Sequence, residues 1–582
     1  MTDTLSNAVR QLFGLSYLFP YQRLVITNIL EAAEAAGIPI EWPAEDPAVN
    51  DSAEDNNAAA FSPEAENVVP DETAAEENSA LKKAGEESDR LCLGRQIVIL
   101  PTGAGKSLCF QLPAMLLTGA TLVLYPILSL MADQQRRLAE KGFSPVILRG
   151  GQSVEERNAI WGKLQSGESK FIIANPEVLL TPRVMEKLGG LGIVHIVIDE
   201  AHCVSEWGES FRPSYLEISK IIEAVKAPLV TAFTATASSP VLEKIEKYIF
   251  GNAGSDGRPN RIIGNPDRSN IRYSAQGCIL RNLAVRDLLI KNELPAIVFC
   301  SSRGGTEKLA RYLRNEFEGK DTEIRFYHAG LSREEKTALE TWFFSNPRGV
   351  LVSTCAYGMG VDKADIRTVI HRDCPPSVEA YLQESGRAGR DGKASEAVLL
   401  WGPDDDMQIR RAKNDGDRRR IEGLLAYARN VRDCRREALL KLLDYDSAGD
   451  SPETDCCDVC DTRAVNRPGD ASLREEKSIL NFFTRNRRRC TLGESAKILS
   501  RAENIRWSED DAKKTVRELI RLKKLRVIKN YFWKDKIDII KIRYSDSKPS
   551  SSPVVSGVSA GGGAAFAVLC GLEGNTETER GR

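Results

Sequence analysis

The chain has 582 residues, which is too many for one hydrophobic core, so three or four domains are expected. Its formal net charge is only −2, from 80 basic and 82 acidic residues, and its 13 cysteines are mostly scattered singly. Neither a secretory leader nor an apolar stretch of membrane-spanning length can be read in it. We therefore predict a reducing setting in the cytoplasm, nucleoid or nucleus, no membrane partner, and clustered cysteines that bind metal before they form disulfides.

The first helical pattern runs into an acidic segment. Residues 41–90 hold 15 Asp and Glu against three basic residues, a local charge of −12, so the rest of the chain carries about +10. Large apolar side chains are few there, and residues 31–90 are predicted to be a disordered insertion. Its role stays open between a passive spacer, an acidic mimic of DNA that inhibits the basic body, and a segment that docks a partner.

Short apolar or β-branched runs alternate with helix-spaced patterns over two regions, which predicts two α/β lobes with parallel sheets. The runs are 91–100, 121–126, 170–174, 193–198 and 228–232 in the first lobe, and 296–300, 323–327, 349–353, 368–370 and 397–400 in the second. We place the lobes at 91–268 and 269–405, with the Gly-, Asn-, Asp- and Pro-rich residues 251–268 as the linker.

Beyond residue 405 the sequence becomes basic and mostly helical. Residues 406–468 contain a cluster of cysteines. In residues 469–545, helical patterns precede a pair of strands at 525–528 and 537–542. Residues 546–582 are rich in Ser, Gly and Ala and are predicted to be a disordered tail.

Pro101–Ser107 follows a β-run and opens a helix, which is the context that a phosphate-binding loop requires. The predicted nucleotide-binding residues of this loop are Thr102, Gly103, Gly105, Lys106 and Ser107. The glycines let backbone N–H groups face phosphate oxygens, Lys106 is expected to reach the β- and γ-phosphates, and Ser107 to ligate Mg²⁺. The strict pattern has a glycine where this chain has Leu100.

Two adjacent carboxylates, Asp199 and Glu200, follow a buried-strand pattern, and the carboxyl ends of parallel strands are where such sheets bind ligands. We predict that Asp199 holds Mg²⁺ through water and that Glu200 positions and deprotonates the attacking water. Trp207, Phe211 and Arg212 follow closely and suit stacking on bases and binding phosphate. One segment is therefore predicted to contact both the nucleotide and a nucleic-acid strand.

Arg387 and Arg390 lie within Gln383–Gly392, on a helical segment predicted to start near Ser377, so their spacing of three places them on one face. Two guanidinium groups that face the first lobe suit neutralising charge that develops on the γ-phosphate of ATP. A solvated basic face is the plain alternative. The flanking glycines and the position in a second α/β lobe favour the catalytic interpretation.

In combination these motifs resemble the RecQ family of superfamily 2 DNA helicases. The matching stretches are Phe19–Gln22, Pro101–Ser107, Ile198–His202, Thr234–Thr236, Tyr327–Gly330, Gly358–Lys363 and Gln383–Gly392. The resemblance covers nearly everything outside 31–90 and the C-terminal tail. It implies two RecA-like lobes followed by a helical zinc-binding module and a winged-helix domain, in an enzyme that translocates 3′ to 5′ on single-stranded DNA.

The resemblance also implies roles for single residues. Gln22 would read the adenine, which makes residues 1–30 the adenine-reading segment of the first lobe, and Arg390 would be the arginine finger. The residues implied to couple DNA contact to hydrolysis are His202, Trp207, Phe211 and Arg212, with Thr234 and Thr236 relaying between sites. On the residues alone, Gln22 is an ordinary glutamine at a helix start.

Cys434, Cys456, Cys457 and Cys460 are predicted to bind one structural Zn²⁺. The Cys457-x-x-Cys460 spacing is typical of half a zinc site, and a closed four-thiolate set leaves no position for a reactive water. Buried or redox-active cysteines are the alternative. A set in which only one of Cys456 and Cys457 ligates also stays open.

Residues 469–545 resemble the winged-helix module that follows the zinc site in this family. The candidates for phosphate contacts are Arg485, Arg487, Arg488, Arg489, Lys523, Lys524 and Arg526. Asn530–Trp533 joins the two late strands. Its aromatic side chains either wedge into the end of a DNA duplex or pack on the hairpin's own core, and the sequence favours neither.

The sequence as a whole predicts an ATP-dependent DNA helicase with Mg²⁺ and Zn²⁺ as cofactors, which unwinds duplex or branched DNA in recombination and repair. An RNA helicase that uses the same two lobes and a non-catalytic DNA-binding or annealing protein are the alternatives. The predicted partners are single-stranded, forked or branched DNA, together with a single-stranded-DNA-binding protein or other repair proteins. No oligomeric state is predicted.

Overall fold

A computed structural model describes residues 2–43, 92–101, 103–206, 212–251, 258–264, 267–357, 363–412, 414–445, 456–464, 473–502 and 507–540. Within these ranges the chain forms two parallel sheets and then a helical region with an antiparallel strand pair. None of the helices in these ranges combines the length and apolarity needed to span a bilayer.

The first sheet belongs to lobe 1 and has the strand order β3-β4-β2-β5-β6-β1-β7, with every pairing parallel. Its strands are β1 Cys92–Ile99, β2 Ala120–Leu124, β3 Val146–Leu148, β4 Phe171–Ala174, β5 Ile193–Ile198, β6 Leu229–Thr234 and β7 Pro259–Ile263. Its helices are α1 Thr2–Phe13, α2 Pro20–Ala35, α3 Lys106–Leu116, α4 Leu128–Glu140, α5 Val154–Gln165, α6 Pro176–Leu179, α7 Pro182–Gly189, α8 Cys203–Glu206, α9 Ile218–Val225 and α10 Ser239–Ile245. Both faces of the sheet carry a hydrophobic core, which explains the nearly continuous apolar runs of its strands.

The second sheet belongs to lobe 2 and has the order β10-β11-β9-β12-β13-β8, again with parallel pairings. Its strands are β8 Ile271–Gly277, β9 Ala296–Phe299, β10 Ile324–Tyr327, β11 Val350–Ser353, β12 Thr368–His371 and β13 Ser395–Trp401. Its helices are α11 Arg281–Lys291, α12 Arg303–Glu316, α13 Arg333–Ser345 and α14 Val378–Ser385. The predicted pair of parallel-sheet lobes is confirmed.

The remaining elements follow lobe 2. They are α15 Asp406–Arg411, α16 Asp415–Arg429, α17 Arg435–Leu442, α18 Asp458–Ala464, α19 Glu476–Arg485, α20 Leu492–Ser500, α21 Glu509–Arg521, β14 Leu525–Val527 and β15 Ile537–Ile539. Strands β14 and β15 are antiparallel. The cysteine-bearing helix α18 lies against the edge strand β8, where Tyr273 forms a bridge with Cys457. The last three helices share one core with Ile279, Leu280 and Leu283 of lobe 2.

Two strands lie where the sequence predicted none, and a third lies in the predicted linker. Strands β3 and β8 are short or half-buried, so their apolar signal is weak. The prediction that residues 251–268 are only a linker is wrong, because β7 pairs with β1 there. Ile262 is its one fully enclosed large apolar side chain, which is too little pattern to reveal an edge strand.

The predicted start of the insertion at residue 31 is also wrong. Helix α2 continues to Ala35, and residues up to 43 stay attached to lobe 1. Ile40 forms a bridge with Leu117, and the Glu41 N–H donates to the Leu116 carbonyl at 2.7 Å. These backbone hydrogen bonds hold residues 40 and 41 on lobe 1, which the composition of the segment does not predict. The rest of the insertion and the predicted tail lie outside the described residues.

Three of the seven candidate phosphate contacts surround one buried carboxylate, that of Asp538 on β15. Arg487 Nε lies 3.0 Å from this carboxylate and Arg488 Nε lies 3.1 Å from it. Arg526 Nη2 lies at 3.4 Å. Burial raises the pKa of Asp538, but hydrogen bonds from the three arginines outweigh it and lower the pKa to about 2. These arginines therefore stabilise the fold of the C-terminal region through Asp538.

Asp538→Asn is expected to lower the free energy of unfolding of this region by about 2 kcal/mol at neutral pH, because hydrogen bonds to a charged group contribute about 1.5–3 kcal/mol. A folded-state pKa below the ordinary value of about 3.9 means that the contribution is complete above about pH 4 and is lost as the pH falls toward about 2. Denaturation of the Asp538→Asn variant and of the unaltered protein should be measured across this pH range. The difference between their free energies of unfolding should shrink as the pH falls. Asp510→Asn is the matched control, since the Asp510 side chain is 96% exposed, and an equal effect of the two changes would contradict the role of Asp538.

Candidate active site and cysteine cluster

The phosphate-binding loop predicted at 101–107 connects β1 to α3. Gly103 and Gly105 have φ of +87° and +70°, a backbone conformation that favours glycine. Lys106 opens α3, and its Nζ is buried with no hydrogen-bond partner among the described residues. Ser107 follows it, half-buried, whereas Thr102 lies outside the described residues. The loop thus directs the Lys106 ammonium and a helix N-terminus to one place, which is an anion site.

Gln22, near the start of α2, is held against this loop. Its Nε2 donates to the Ala104 carbonyl at 2.9 Å, and the Phe19 N–H donates to its Oε1 at 3.0 Å. A Cβ at position 105 would lie 2.5 Å from Gln22 Nε2, so only glycine allows this approach. The structure therefore joins Gln22 to the phosphate-binding loop, and its reading of adenine stays a prediction.

Asp199 and Glu200 follow β5, on the same edge of the sheet as the loop. The Asp199 N–H donates to Leu124 of the neighbouring strand at 3.0 Å. The chain then turns sharply, with a φ of 52° at Glu200, an unusual conformation for a residue with a side chain, and the Glu200 N–H donates to Asp199 Oδ1 at 2.9 Å. Backbone geometry thus fixes both carboxylates at the strand end.

The two carboxylates differ in charge state. Burial and the neighbouring Glu200 raise the pKa of Asp199 above its ordinary value. Burial also acts to raise the pKa of Glu200, but the positive charges around it, Lys106 foremost, outweigh burial and lower it. Arg387 and Arg390 of lobe 2 belong to the same set of positive charges. Glu200 is therefore the carboxylate that stays ionised, and residues of both lobes stabilise its charge.

His202 connects Glu200 to the end of β6. Its Nδ1 lies 3.4 Å from Glu200 Oε2 and 3.0 Å from Thr234 Oγ1. The Thr234 hydroxyl in turn donates to the Thr236 carbonyl at 3.0 Å. The structure thus brings together the residues for which a relay was predicted. The relay itself stays a prediction.

Arg387 and Arg390 do not lie on a helix, so that part of the prediction is wrong. Helix α14 ends at Ser385, and both arginines follow it in a series of turns. After these turns, Gly389 adopts a φ of +55° and donates its N–H to Ile366 of lobe 2. Burial, and then the neighbouring Arg390, lower the pKa of Arg387 to about 10.

Lobe 2 nevertheless presents these turns to lobe 1. A Cβ at Gly103 would lie 3.9 Å from Arg390 Cγ and 3.6 Å from Arg268 Nη1. A buried hydrogen bond of 2.6 Å from Ser238 Oγ to Glu379 Oε1 also joins the lobes. Arg268, Ser238 and Glu379 were not predicted, because none of them belongs to a motif that predicts a contact between lobes.

The predicted DNA-coupling residues are only partly described. Trp207 and Phe211 lie outside the described residues. Arg212 donates to the Pro126 carbonyl and places Nη1 3.4 Å from Glu177 Oε1, so it is anchored to lobe 1 beside the end of β2.

The four predicted zinc ligands, Cys434, Cys456, Cys457 and Cys460, lie together. Their sulfur atoms are all within 4.8 Å of one another, with 3.5 Å from Cys434 to Cys456 and 4.0 Å from Cys434 to Cys457. A tetrahedral site with Zn–S bonds of about 2.3 Å has sulfur atoms about 3.8 Å apart, so this set fits Zn²⁺. Backbone N–H groups of Arg435 and Cys460 point at the Cys457 sulfur at 3.4 and 3.3 Å, as they would at a thiolate.

Two family models match the chain. The model for DEAD/DEAH box helicases matches residues 79–245, and the model for the helicase conserved C-terminal domain matches residues 280–392. These two matches fall on lobe 1 and lobe 2.

Known proteins resemble more than half of the chain. The ATP-dependent DNA helicase RecQ of Pasteurella multocida is 35% identical over 393 residues, which cover 66% of this chain and 60% of that protein. RecQ of Bacillus subtilis is 31% identical over 423 residues, which cover 71% of this chain and 69% of that protein. The crystal structure of the DUF1998 helicase MrfA bound to DNA is a more remote likeness, 18% identical with a TM-score of 0.48 over 73% of this chain and 57% of that chain.

The chain spans about 60% of the length of the Pasteurella protein. The Bacillus alignment extends over more than two thirds of the relative. This chain therefore belongs to the RecQ family of ATP-dependent DNA helicases.

Proposed function

We propose that this protein is an ATP-dependent DNA helicase that translocates 3′ to 5′ on single-stranded DNA and unwinds duplex or branched DNA in recombination and repair. One observation carries the proposal. Lys106 Nζ and Glu200 Oε2 are buried without hydrogen-bond partners in the described part of the chain, and charged groups of both lobes surround them. A buried polar atom without a hydrogen-bond partner lowers the stability of the fold unless a ligand supplies the partner.

The residues fit a nucleoside triphosphate with its metal. Lys106 and the N–H groups at the start of α3 bind the β- and γ-phosphates, and Ser107 and Asp199 hold Mg²⁺. Held by Ser107 and Asp199, Mg²⁺ would supply positive charge that neutralises part of the charge of the phosphates. Gln22, fixed to the phosphate-binding loop, orients its free amide edge toward the adenine.

Glu200 is the base in this proposal. Its lowered pKa keeps it ionised at neutral pH, so it can orient the attacking water and accept a proton from it. Arg387 and Arg390 come from the other lobe and stabilise the negative charge that develops on the γ-phosphate. Because they reach the site only while the lobes are together, hydrolysis and release of phosphate weaken the closed arrangement. Repeated closing and opening would move the lobes along a DNA strand.

The regions after lobe 2 contact the duplex in this proposal. The cysteine cluster is a structural zinc site that fixes α18 to the edge strand β8, and residues 469–545 form a winged-helix domain. Of the seven candidate phosphate contacts, Arg487, Arg488 and Arg526 neutralise Asp538, and Lys524 pairs with Glu476 at 2.5 Å. The remaining cations, Arg485, Arg489 and Lys523, are the better candidates for phosphate.

The connection between β14 and β15 supports a contact with the end of a duplex. Tyr531 and Phe532 are 94% and 83% exposed, so they do not pack on the hairpin's own core. Trp533 is 40% exposed and lies under the Arg488 guanidinium, which is 5.0 Å from its ring. We therefore assign base stacking to Tyr531 or Phe532 and a supporting role to Trp533.

The double change Tyr531→Ala with Phe532→Ala is expected to slow strand separation by about 10-fold, since stacking on an aromatic side chain contributes about 1–3 kcal/mol per base. ATP hydrolysis stimulated by single-stranded DNA should stay at the level of the unaltered protein, because none of the residues of the proposed nucleotide site belongs to this hairpin. Val527→Ala, another exposed apolar residue of the same hairpin, is the matched control. Unwinding at the normal rate in the double variant would contradict the assignment.

The proposal as a whole is tested by comparing single-stranded DNA, forked DNA and RNA as stimulators of ATP hydrolysis. We expect both DNAs to stimulate and RNA to stimulate much less. Stimulation by RNA alone would identify an RNA helicase. The absence of hydrolysis with every nucleic acid would identify a non-catalytic binding or annealing protein.

A further inference from the structure

The carbonyl that precedes Arg390 is held by two side chains from outside its own loop. The Gly389 oxygen accepts a hydrogen bond from Arg268 Nη2 and another from Asn270 Nδ2, each at 2.8 Å. This oxygen belongs to the peptide group that also contains the Arg390 nitrogen. Arg268 and Asn270 therefore fix the plane of the peptide from which the Arg390 side chain departs.

Arg268 and Asn270, which together form a clamp on the Gly389 carbonyl, pack closely around Gly389. A Cβ at Gly389 would lie 2.4 Å from Asn270 Nδ2 and 2.6 Å from the Lys393 carbonyl oxygen. Asn270 Nδ2 also donates to that Lys393 carbonyl at 2.9 Å. One amide thus bonds both ends of the turn that carries Arg390.

Arg268 extends the same clamp toward Arg387. Its Nη1 donates to the Gly386 carbonyl at 3.4 Å and its Nη2 to the Ala388 carbonyl at 3.5 Å, in addition to the bond with Gly389. These carbonyls lie on both sides of Arg387. A single planar guanidinium with several fixed donors spans the arginine loop, which lysine cannot do.

The backbone of Arg268 and Asn270 is itself held from the cysteine cluster. Arg436 is 2% exposed, pairs with Asp267, and donates to the carbonyls of Arg268 at 3.0 Å and of Ile271 at 2.9 Å. It lies two residues after Cys434, one of the four clustered cysteines. Arg436, which directly follows the first clustered cysteine and Arg435, therefore links this part of the chain to the backbone that carries Arg268 and Asn270.

We propose that Arg268 and Asn270 are positioning residues for the arginine finger, and that Arg436 ties their backbone to the cysteine cluster. The proposal rests on the proposed function, which assigns Arg390 to the γ-phosphate. It gives the cysteine cluster a second effect besides its support of the fold. A disturbance there changes the position of Arg390 and so the rate of hydrolysis, whereas the binding of ATP by lobe 1 is unaffected.

The test is a double-mutant cycle on the full chain with Asn270→Asp and Arg390→Ala. Asn270→Asp keeps the side-chain shape but replaces the amide donor by a carboxylate oxygen that faces two carbonyls. We expect kcat for DNA-stimulated ATP hydrolysis to fall about 10-fold with KM for ATP unchanged, since small misplacements of a catalytic group cost up to about 100-fold. Arg390→Ala alone should lower kcat about 1,000-fold or more.

The double variant decides the question. A positioning residue that acts through Arg390 adds nothing once Arg390 is absent, so the double variant should match Arg390→Ala. A further 10-fold loss in the double variant, or a normal kcat in Asn270→Asp, would overturn the proposal. If Arg390→Ala itself kept its activity, the assignment of the finger in the proposed function would fail instead, so the two failures are distinguishable.

A second pair of variants tests the link to the cysteine cluster. Arg436→Lys keeps a cation beside Asp267 but loses the fork that reaches the two carbonyls, and it should lower kcat about as much as Asn270→Asp without a further loss when the two are combined. Arg272→Lys is the matched control. Arg272 lies on the edge strand β8 and bonds Glu396 and, through Asp461, the cysteine-bearing helix, and none of its bonds within the described residues reaches the arginine loop. Zinc content and thermal midpoint are measured for each variant. A normal kcat in Arg436→Lys, or an equal loss in Arg272→Lys, would contradict the link.

Discussion

Lys106→Ala and Glu200→Gln are each expected to lower DNA-stimulated ATP hydrolysis by about 1,000-fold or more and to abolish unwinding. Each change removes a buried charge from the proposed nucleotide site, and no other described group supplies that charge. Lys106 Nζ and Glu200 Oε2 have no hydrogen-bond partners among the described residues, so both atoms are available to the substrate. Binding of single-stranded DNA should change less than about twofold, because neither residue belongs to the proposed DNA surface.

The control for Lys106 is Lys163→Ala, which removes a lysine from an exposed ion pair with Glu168 on the same lobe. Exposed pairs of this kind contribute little to stability, so this variant should hydrolyse ATP and unwind DNA normally. ATP-driven unwinding by either Lys106→Ala or Glu200→Gln would remove the assignment of the site. Loss of DNA binding in both would instead indicate that they support the fold.

Cys434→Ala is expected to have the second large effect, the loss of bound zinc from about one ion per chain to none. Structural zinc contributes on the order of 10 kcal/mol to the folding of small zinc-binding units, so the region around α17 and α18 should lose its stable fold. Metal analysis of the purified protein, with and without a chelator, measures the first effect, and thermal denaturation measures the second. DNA binding should weaken with it, since the proposed function assigns contact with the duplex to the regions after lobe 2.

Cys490→Ala is the matched control, because Cys490 is also buried and in the C-terminal part of the chain but is not a member of the cluster. It should keep its zinc. Full zinc content in Cys434→Ala would show that the cluster is not the metal site. Separate alanine variants of Cys456 and Cys457 decide whether both ligate, and the geometry, which places both sulfur atoms in the cluster, predicts that each loses zinc.

The sequence predicts best where one physical signal dominates. Apolar runs such as Ile193–Ile198 are buried on both faces of a parallel sheet, and no other structure satisfies them. The loop around Lys106 and the spacing of Cys457 and Cys460 are similarly restrictive, since few arrangements other than an anion site and a metal site use them. These elements appear where they were predicted.

The errors arise where long-range contacts override local pattern. Arg387 and Arg390 have helical spacing, yet the helix ends at Ser385 and Gly389 donates to Ile366 of lobe 2. Asp538 gives no sign in the sequence that it will be buried, so its bonds to three of the arginines proposed for phosphate were not predicted. Arg268 was part of a composition that predicts a linker, and only the fold brings its guanidinium to the Gly389 carbonyl. Side chains that act on backbone groups far along the chain leave no motif.

The central claim is that ATP hydrolysis at the site between the lobes drives separation of DNA strands. Its most direct test is strand separation of a forked DNA duplex by the full chain, with Mg²⁺ and either ATP or a non-hydrolysable ATP analogue. We predict separation with ATP, faster on a duplex with a 3′ single-stranded tail than on one with only a 5′ tail, and none with the analogue or with Glu200→Gln. Equal separation with ATP and with the analogue would contradict the claim.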